Sequence, residues 1–187
     1  MKILKIAAIP FLTALLSTAC SSDDNGNIPE IVNEEEVITT MTVTLSPEDN
    51  GADIILSKTD LDGDGPNMPV FNVSGNLTSG TTYTGSIELL NETVTPAENI
   101  TDEVKEESEE HQLFYTSDDN LDVTTVSVDN DSDGNLLGTE FTLTAGAAST
   151  GTLTFTLRHE PKKPNDGTLT DAAGETDAEA SFSITVE

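Results

Sequence analysis

Two histidines occur in the 187-residue chain, His111 and His159, and each has glutamate beside it, in EEHQLFY and LRHEP. Imidazole is the side chain best placed to hold a transition metal or exchange a proton near neutral pH. Leu153, Phe155, Leu157 and His159 alternate with Thr and Arg, so His159 continues the apolar face of a strand. His111 stands seven residues after Val104, close to the apolar stripe of a helical segment. Both rings are therefore expected to face protein. If the strand beginning at His111 pairs with the strand ending at His159, the rings approach each other. With Glu110 or Glu160 they then form an N/O ligand set suited to zinc or copper. The same placement also fits two ordinary histidines hydrogen-bonded at strand ends.

A second chemistry is written in two acidic loops. DNDSDGNLLGTE places Asp129, Asp131 and Asp133 on alternate positions, followed by Gly134, with Glu140 twelfth. Calcium takes about six to eight oxygen ligands, and alternate Asp residues on a tight turn aim carboxylates at one centre. DLDGDG repeats the start with Asp60, Asp62 and Asp64, but its twelfth residue is Phe71, which cannot ligate. Asp, Asn and Gly are equally what β-turns require for backbone reasons, so both a calcium loop and an acidic hairpin turn stand as readings. No G-x-S-x-G, H-E-x-x-H or P-loop pattern is present. The one cysteine has another role, described below. No catalytic residue is assigned, and a non-enzymatic protein is expected.

The elements that would position these residues read as strands. From Val37 the pattern has period two, with Val37, Met41, Val43 and Leu45 on odd positions and Thr between. Runs such as DIILSK, VFNVSGNL, TTYTGSIELLNET, HQLFYT, EFTLTA, GTLTFTLRHE and ASFSITVE follow, separated by Gly-, Asp- and Pro-rich turns. Eight or nine such strands predict an all-β, antiparallel, immunoglobulin-like sandwich, with a closed barrel as the alternative. In LDVTTVSV the apolar phase passes from odd to even, which predicts a bulge near Thr124. One helix is expected over 96–110: Thr95 as N-cap, Pro96 first, Glu98 closing a capping box, and Ile100 and Val104 sharing a face.

Composition and the N-terminus bear on location. Seven Lys+Arg against 35 Asp+Glu give a formal charge of −28, which repels nucleic acid and favours cations or basic surfaces. MKILKIAAIPFLTALLSTAC has a basic start, a short apolar stretch and small residues before Cys20, the layout of a secretory signal. The lone cysteine at its end resembles a bacterial lipobox, in which the thiol is acylated and anchors the mature chain to membrane. Ser17 stands where a lipobox usually has Leu. Ser21, Ser22, Asp23 and Asp24 then resemble the acidic export signal that Bacteroidota place after the lipidated cysteine. This divides the chain into a signal peptide (1–19), an acidic tether (20–36) and a sandwich domain (37–187).

NEEEVITTMTVTL, DLDGDGPN, LNETVTPAENITDEV, EEHQLFY, ASTGTLTFTLRHEP and AGETDAEASFSITV together resemble small surface lipoproteins of flavobacteria, often labelled with a type 1 periplasmic binding fold. That label is at odds with the residues, because such a fold needs two lobes of alternating helices and strands. The resemblance implies a lipid-anchored protein on the outer face of the outer membrane, accessory to a TonB-dependent receptor. The leading expectation is a ligand- or partner-binding module. The alternatives are a zinc or copper capture protein using the histidines, and a structural module with calcium-stiffened loops.

Overall fold

Alternation of Thr with larger apolar residues makes this chain a set of strands with one dry face each. The computed structural model describes residues 36–49, 51–63 and 65–187. The signal segment, Cys20, Ser21, Ser22, Asp23, Asp24, the tether up to residue 35, and Asp64 lie outside the described residues. The elements are β1 (Thr40–Pro47), β2 (Ile54–Thr59), β3 (Val70–Val73), β4 (Thr82–Asn91), β5 (Glu98–Asn99), α1 (Ile100–Glu106), β6 (His111–Ser117), β7 (Val123–Ser127), β8 (Glu140–Ala145), β9 (Ser149–His159), α2 (Leu169–Ala172) and β10 (Glu175–Val186).

The strands form two antiparallel sheets, one ordered β3-β2-β1-β4-β8-β7 with β5 paired to β4, the other ordered β10-β9-β6. The fold is an all-β sandwich. Met41, Val43, Leu45, Leu56, Leu89, Phe141 and Leu143 face Leu153, Phe155, Leu157, Phe182 and Ile184 across a single core. A row of rings spans it: Tyr115 lies 4.6 Å from Phe141 and 5.8 Å from Phe155, and Phe155 lies 6.1 Å from Phe182.

Gly85 on β4 is directly opposite Phe141 on β8, and a Cβ there would come within 2.3 Å of the ring. The ring occupies the space that a side chain would take. Gly85→Val is therefore expected to cost roughly 1–3 kcal/mol by overpacking, read as a lower midpoint in urea unfolding with unchanged slope.

Several local expectations differ from what forms, beginning with the helix count: a second short helix, α2, stands beside the one expected. The helix begins at Ile100 rather than Pro96, because Glu98 and Asn99 are extended and paired with Asn91 and Leu90 of β4. Asn99, not Thr95, is the N-cap, accepting from Thr101 N at 3.1 Å. Ile100 and Val104 do share the buried face, and Thr101 Oγ1 accepts from Leu89 N at 2.7 Å. The helix stops at Glu106, where several acids meet the negative end of the dipole. No bulge occurs at Thr124: β7 and β8 keep register from Val123↔Ala145 to Ser127↔Phe141, and Val126 and Val128 are exposed. These valines suit a pleated backbone without facing the core. The irregularity lies between β9 and β10, where Thr176↔Arg158 is followed by Ala178↔Leu157, leaving Asp177 as the extra residue.

Candidate metal centre

The smaller sheet brings three chain positions to one end. His111 opens β6, His159 closes β9, and the two are direct partners in the antiparallel register. Their rings lie 4.6 Å apart between centroids. β10 begins opposite His159 at Glu175, and its bulge turns Asp177 out of the strand's alternation toward the histidines. Bulges commonly re-aim a side chain beside a site in this way. Glu36, just before β1, adds a second carboxylate.

Each carboxylate faces both rings. Glu36 places Oε1 2.8 Å from His111 Nε2 and Oε2 3.7 Å from His159 Nδ1. Asp177 places Oδ2 3.8 Å from His111 Nε2 and Oδ1 3.7 Å from His159 Nδ1. One ligand atom from each of the four residues lies within 4.8 Å of the others. The four side chains are nearly dry, with exposures of 0% for His111, 4% for His159, 4% for Glu36 and 1% for Asp177. Tetrahedral zinc bonded at about 2.0–2.1 Å places its ligand atoms roughly 3.3 Å apart, inside the observed spread of 2.8 to 3.8 Å.

The hydrogen bonds of His111 sharpen the assignment. Its Nδ1 is 3.2 Å from the carbonyl oxygen of Glu107, which can only accept, so Nδ1 carries a proton. Nε2 then faces a carboxylate oxygen at 2.8 Å, and two lone pairs at that distance need a proton or a metal cation between them. A histidine whose far N–H is held by a backbone carbonyl is the usual outer support of a metal ligand. Glu36 Oε2 is buried with no hydrogen-bond partner among the described residues. Two carboxylates and two imidazoles out of water favour a divalent cation on charge grounds. The field continues outward: burial, then the carboxylates of Glu36, Glu107 and Glu98, hold the Glu103 carboxyl above its ordinary value.

Of the residues expected in an N/O set, the histidines stand in this cluster. Glu110 and Glu160 stand on the other side of His159, grouped with it in a second set. Glu36 and Asp177 were not foreseen. Glu36 closes a run of three acids that reads as tether, and Asp177 lies in the outward phase of an alternating strand. Strand pairing reveals Asp177, and the path of the chain into β1 reveals Glu36.

The acidic loops are arranged differently. Asp129 accepts from Gly138 N at 2.9 Å, from Thr139 N at 3.0 Å and from Thr139 Oγ1 at 2.5 Å. Asp131 accepts from Asn135 N at 2.8 Å and from Lys163 Nζ at 3.1 Å. Lys163 also donates to the carbonyls of Ser108 at 2.7 Å and His111 at 2.6 Å. The cation beside this loop is thus the chain's own ammonium, and the same lysine tethers the backbone of His111. Asp129, Asp131, Asp133 and Glu140 do not converge as a ligand group among the described residues. In the first loop Asp62 Oδ2 accepts from Asn67 Nδ2 at 2.7 Å, and Asp60 Oδ1 is buried without a hydrogen-bond partner among the described residues.

No family model, curated protein or solved structure matches the chain.

Proposed function

We propose that this chain captures a transition metal, zinc or copper, at the cluster of Glu36, His111, His159 and Asp177. The observation that carries this reading is His111: with its Nδ1 proton given to the Glu107 carbonyl, Nε2 confronts Glu36 at 2.8 Å. Two imidazoles and two carboxylates form a borderline N/O set, suited to zinc or copper more than to calcium, which prefers oxygen alone. The bound metal is cargo, and the protein is not an enzyme. Acylation at Cys20, followed by the Ser21–Asp24 signal, would hold it on the outer membrane facing outward, beside a receptor able to take the ion inward. Its acidic surface would concentrate cations near the site.

The test is thermal unfolding of the full chain carrying Cys20→Ser, which removes the competing thiol. Free zinc at about 100 times its dissociation constant adds about 2.7 kcal/mol, a rise of roughly 5–10 °C for a domain of this size. Calcium at the same concentration is expected to leave the midpoint unchanged. His159→Ala should abolish the zinc response. A zinc shift that survives His159→Ala would remove the proposal.

A second reading, a module that binds a partner protein, draws on β3. This strand is a sheet edge, and its Val70, Phe71 and Val73 are exposed beside Leu61 and Met68. An apolar edge of this kind can accept an added strand.

A further inference from the structure

His159 presents two nitrogens to two different groups of carboxylates. Nδ1 faces the inner cluster, 3.7 Å from Glu36 Oε2 and 3.7 Å from Asp177 Oδ1. Nε2, on the opposite side of the ring, lies 3.8 Å from Glu110 Oε2. Glu110, His159 and Glu160 bring one ligand atom each within 4.8 Å of one another. Glu160 N donates to the Glu110 carbonyl at 2.7 Å, which sets these residues side by side. Nε2 itself is buried and has no hydrogen-bond partner among the described residues, although His159 is only 3% exposed. A buried ring nitrogen left bare is costly unless something occupies it.

We propose that a second transition-metal ion binds Nε2 of His159 between Glu110 and Glu160, so that one imidazolate bridges two ions. This rests on the inner site proposed above. With an ion on Nδ1, the ring's one proton lies on Nε2, the nitrogen that faces Glu110. The second ion replaces that proton, which passes to solvent, and both ring nitrogens then donate lone pairs to metal. Four carboxylates, two on each side, together with the imidazolate bring five negative charges against the four positive charges of two divalent cations, so the pair of ions is held by a net negative site. The two positions differ in access. The inner one is closed, whereas the Glu110 side chain is 58% exposed and Glu160 is exposed. One nitrogen and two carboxylates leave a coordination position for water, as in exchangeable zinc sites. The outer ion is therefore the second to bind and the first to leave.

Copper(II) titration of the full Cys20→Ser chain, followed by electron paramagnetic resonance, tests this directly. The first equivalent should produce the signal of an isolated copper. The second should suppress most of that signal, because an imidazolate bridge couples the two spins antiferromagnetically. In the Glu110→Gln, Glu160→Gln double variant the first equivalent should bind as before and its signal should persist on further addition. A wild-type signal that saturates at one equivalent, or doubles with the second, would overturn the bridge while leaving the inner site standing. Failure to bind even the first equivalent tightly would overturn both.

Discussion

Lys163→Met is expected to destabilise the protein by about 3–5 kcal/mol, the range for removing one partner of a buried ion pair. The Lys163 side chain is 6% exposed and that of Asp131 is fully buried. All three ammonium hydrogens are used, on Asp131 and on the carbonyls of Ser108 and His111. Methionine keeps the length of the stem but leaves a carboxylate and two carbonyls without their donor. The pH dependence carries a separate signature. Burial raises the Asp131 carboxyl, but hydrogen bonds from Asn135 and the Lys163 ammonium outweigh it and hold the group below its ordinary value. A carboxyl depressed in the folded state contributes stability that is present above its unfolded value, about 3.9. That contribution is lost as pH falls through the folded value. The gap between wild type and Lys163→Met should therefore be largest near neutrality and shrink as pH drops through about 3.9 toward the lower folded value. Urea unfolding at several pH values checks this. Adding Asp131→Asn to Lys163→Met should recover part of the loss, since the orphaned charge is gone. A gap independent of pH would mean that the ion pair is not the source.

Glu36→Gln is expected to separate folding from metal binding. Glutamine keeps the shape of the side chain and can donate an amide N–H to His111 Nε2, whose ring proton sits on Nδ1. The metal-free variant should be as stable as wild type, or more stable by roughly 1–2 kcal/mol, because one buried negative charge is removed. Zinc binding should suffer strongly. A four-ligand structural zinc site is worth roughly 10–16 kcal/mol, about 2.5–4 kcal/mol per ligand, so affinity should fall roughly 100- to 1,000-fold. Competition against a chromophoric chelator measures that fall, and urea unfolding in EDTA measures the stability. If Glu36 only braced the fold, the variant would be less stable and would bind zinc as wild type does. That pattern would count against the centre.

The exposed edge of the larger sheet adds a contrast. Phe71 on β3 lies 5.9 Å from the buried ring of Phe182, so the edge is tied to the core while Val70 and Met68 stay open to solvent. It lies on a different strand from every residue of the metal cluster, so the two readings can be tested independently.

Local sequence determines the strands of this protein. Thr–apolar alternation is a two-residue signal, and it suffices for β1, β4, β8 and β9, including the inward direction of His159. Composition determines the acidic surface in the same direct way. Longer signals fared worse where neighbours competed. The capping pattern at Thr95–Glu98 gave way to pairing with β4, and Val126 and Val128 reported backbone preference rather than burial. The centre itself was only half legible. The histidines stand out because they are rare and share the phase of the core, but whether they meet depends on the register of β6 against β9. Asp177 depends on a bulge, which arises from two strands rather than one. Glu36 depends on where the chain enters the other sheet. Residues 36, 111, 159 and 177 have no local relation to one another. Their meeting is decided by long-range pairing and by the single core that holds the two sheets together, and for that reason only the tertiary structure contains it.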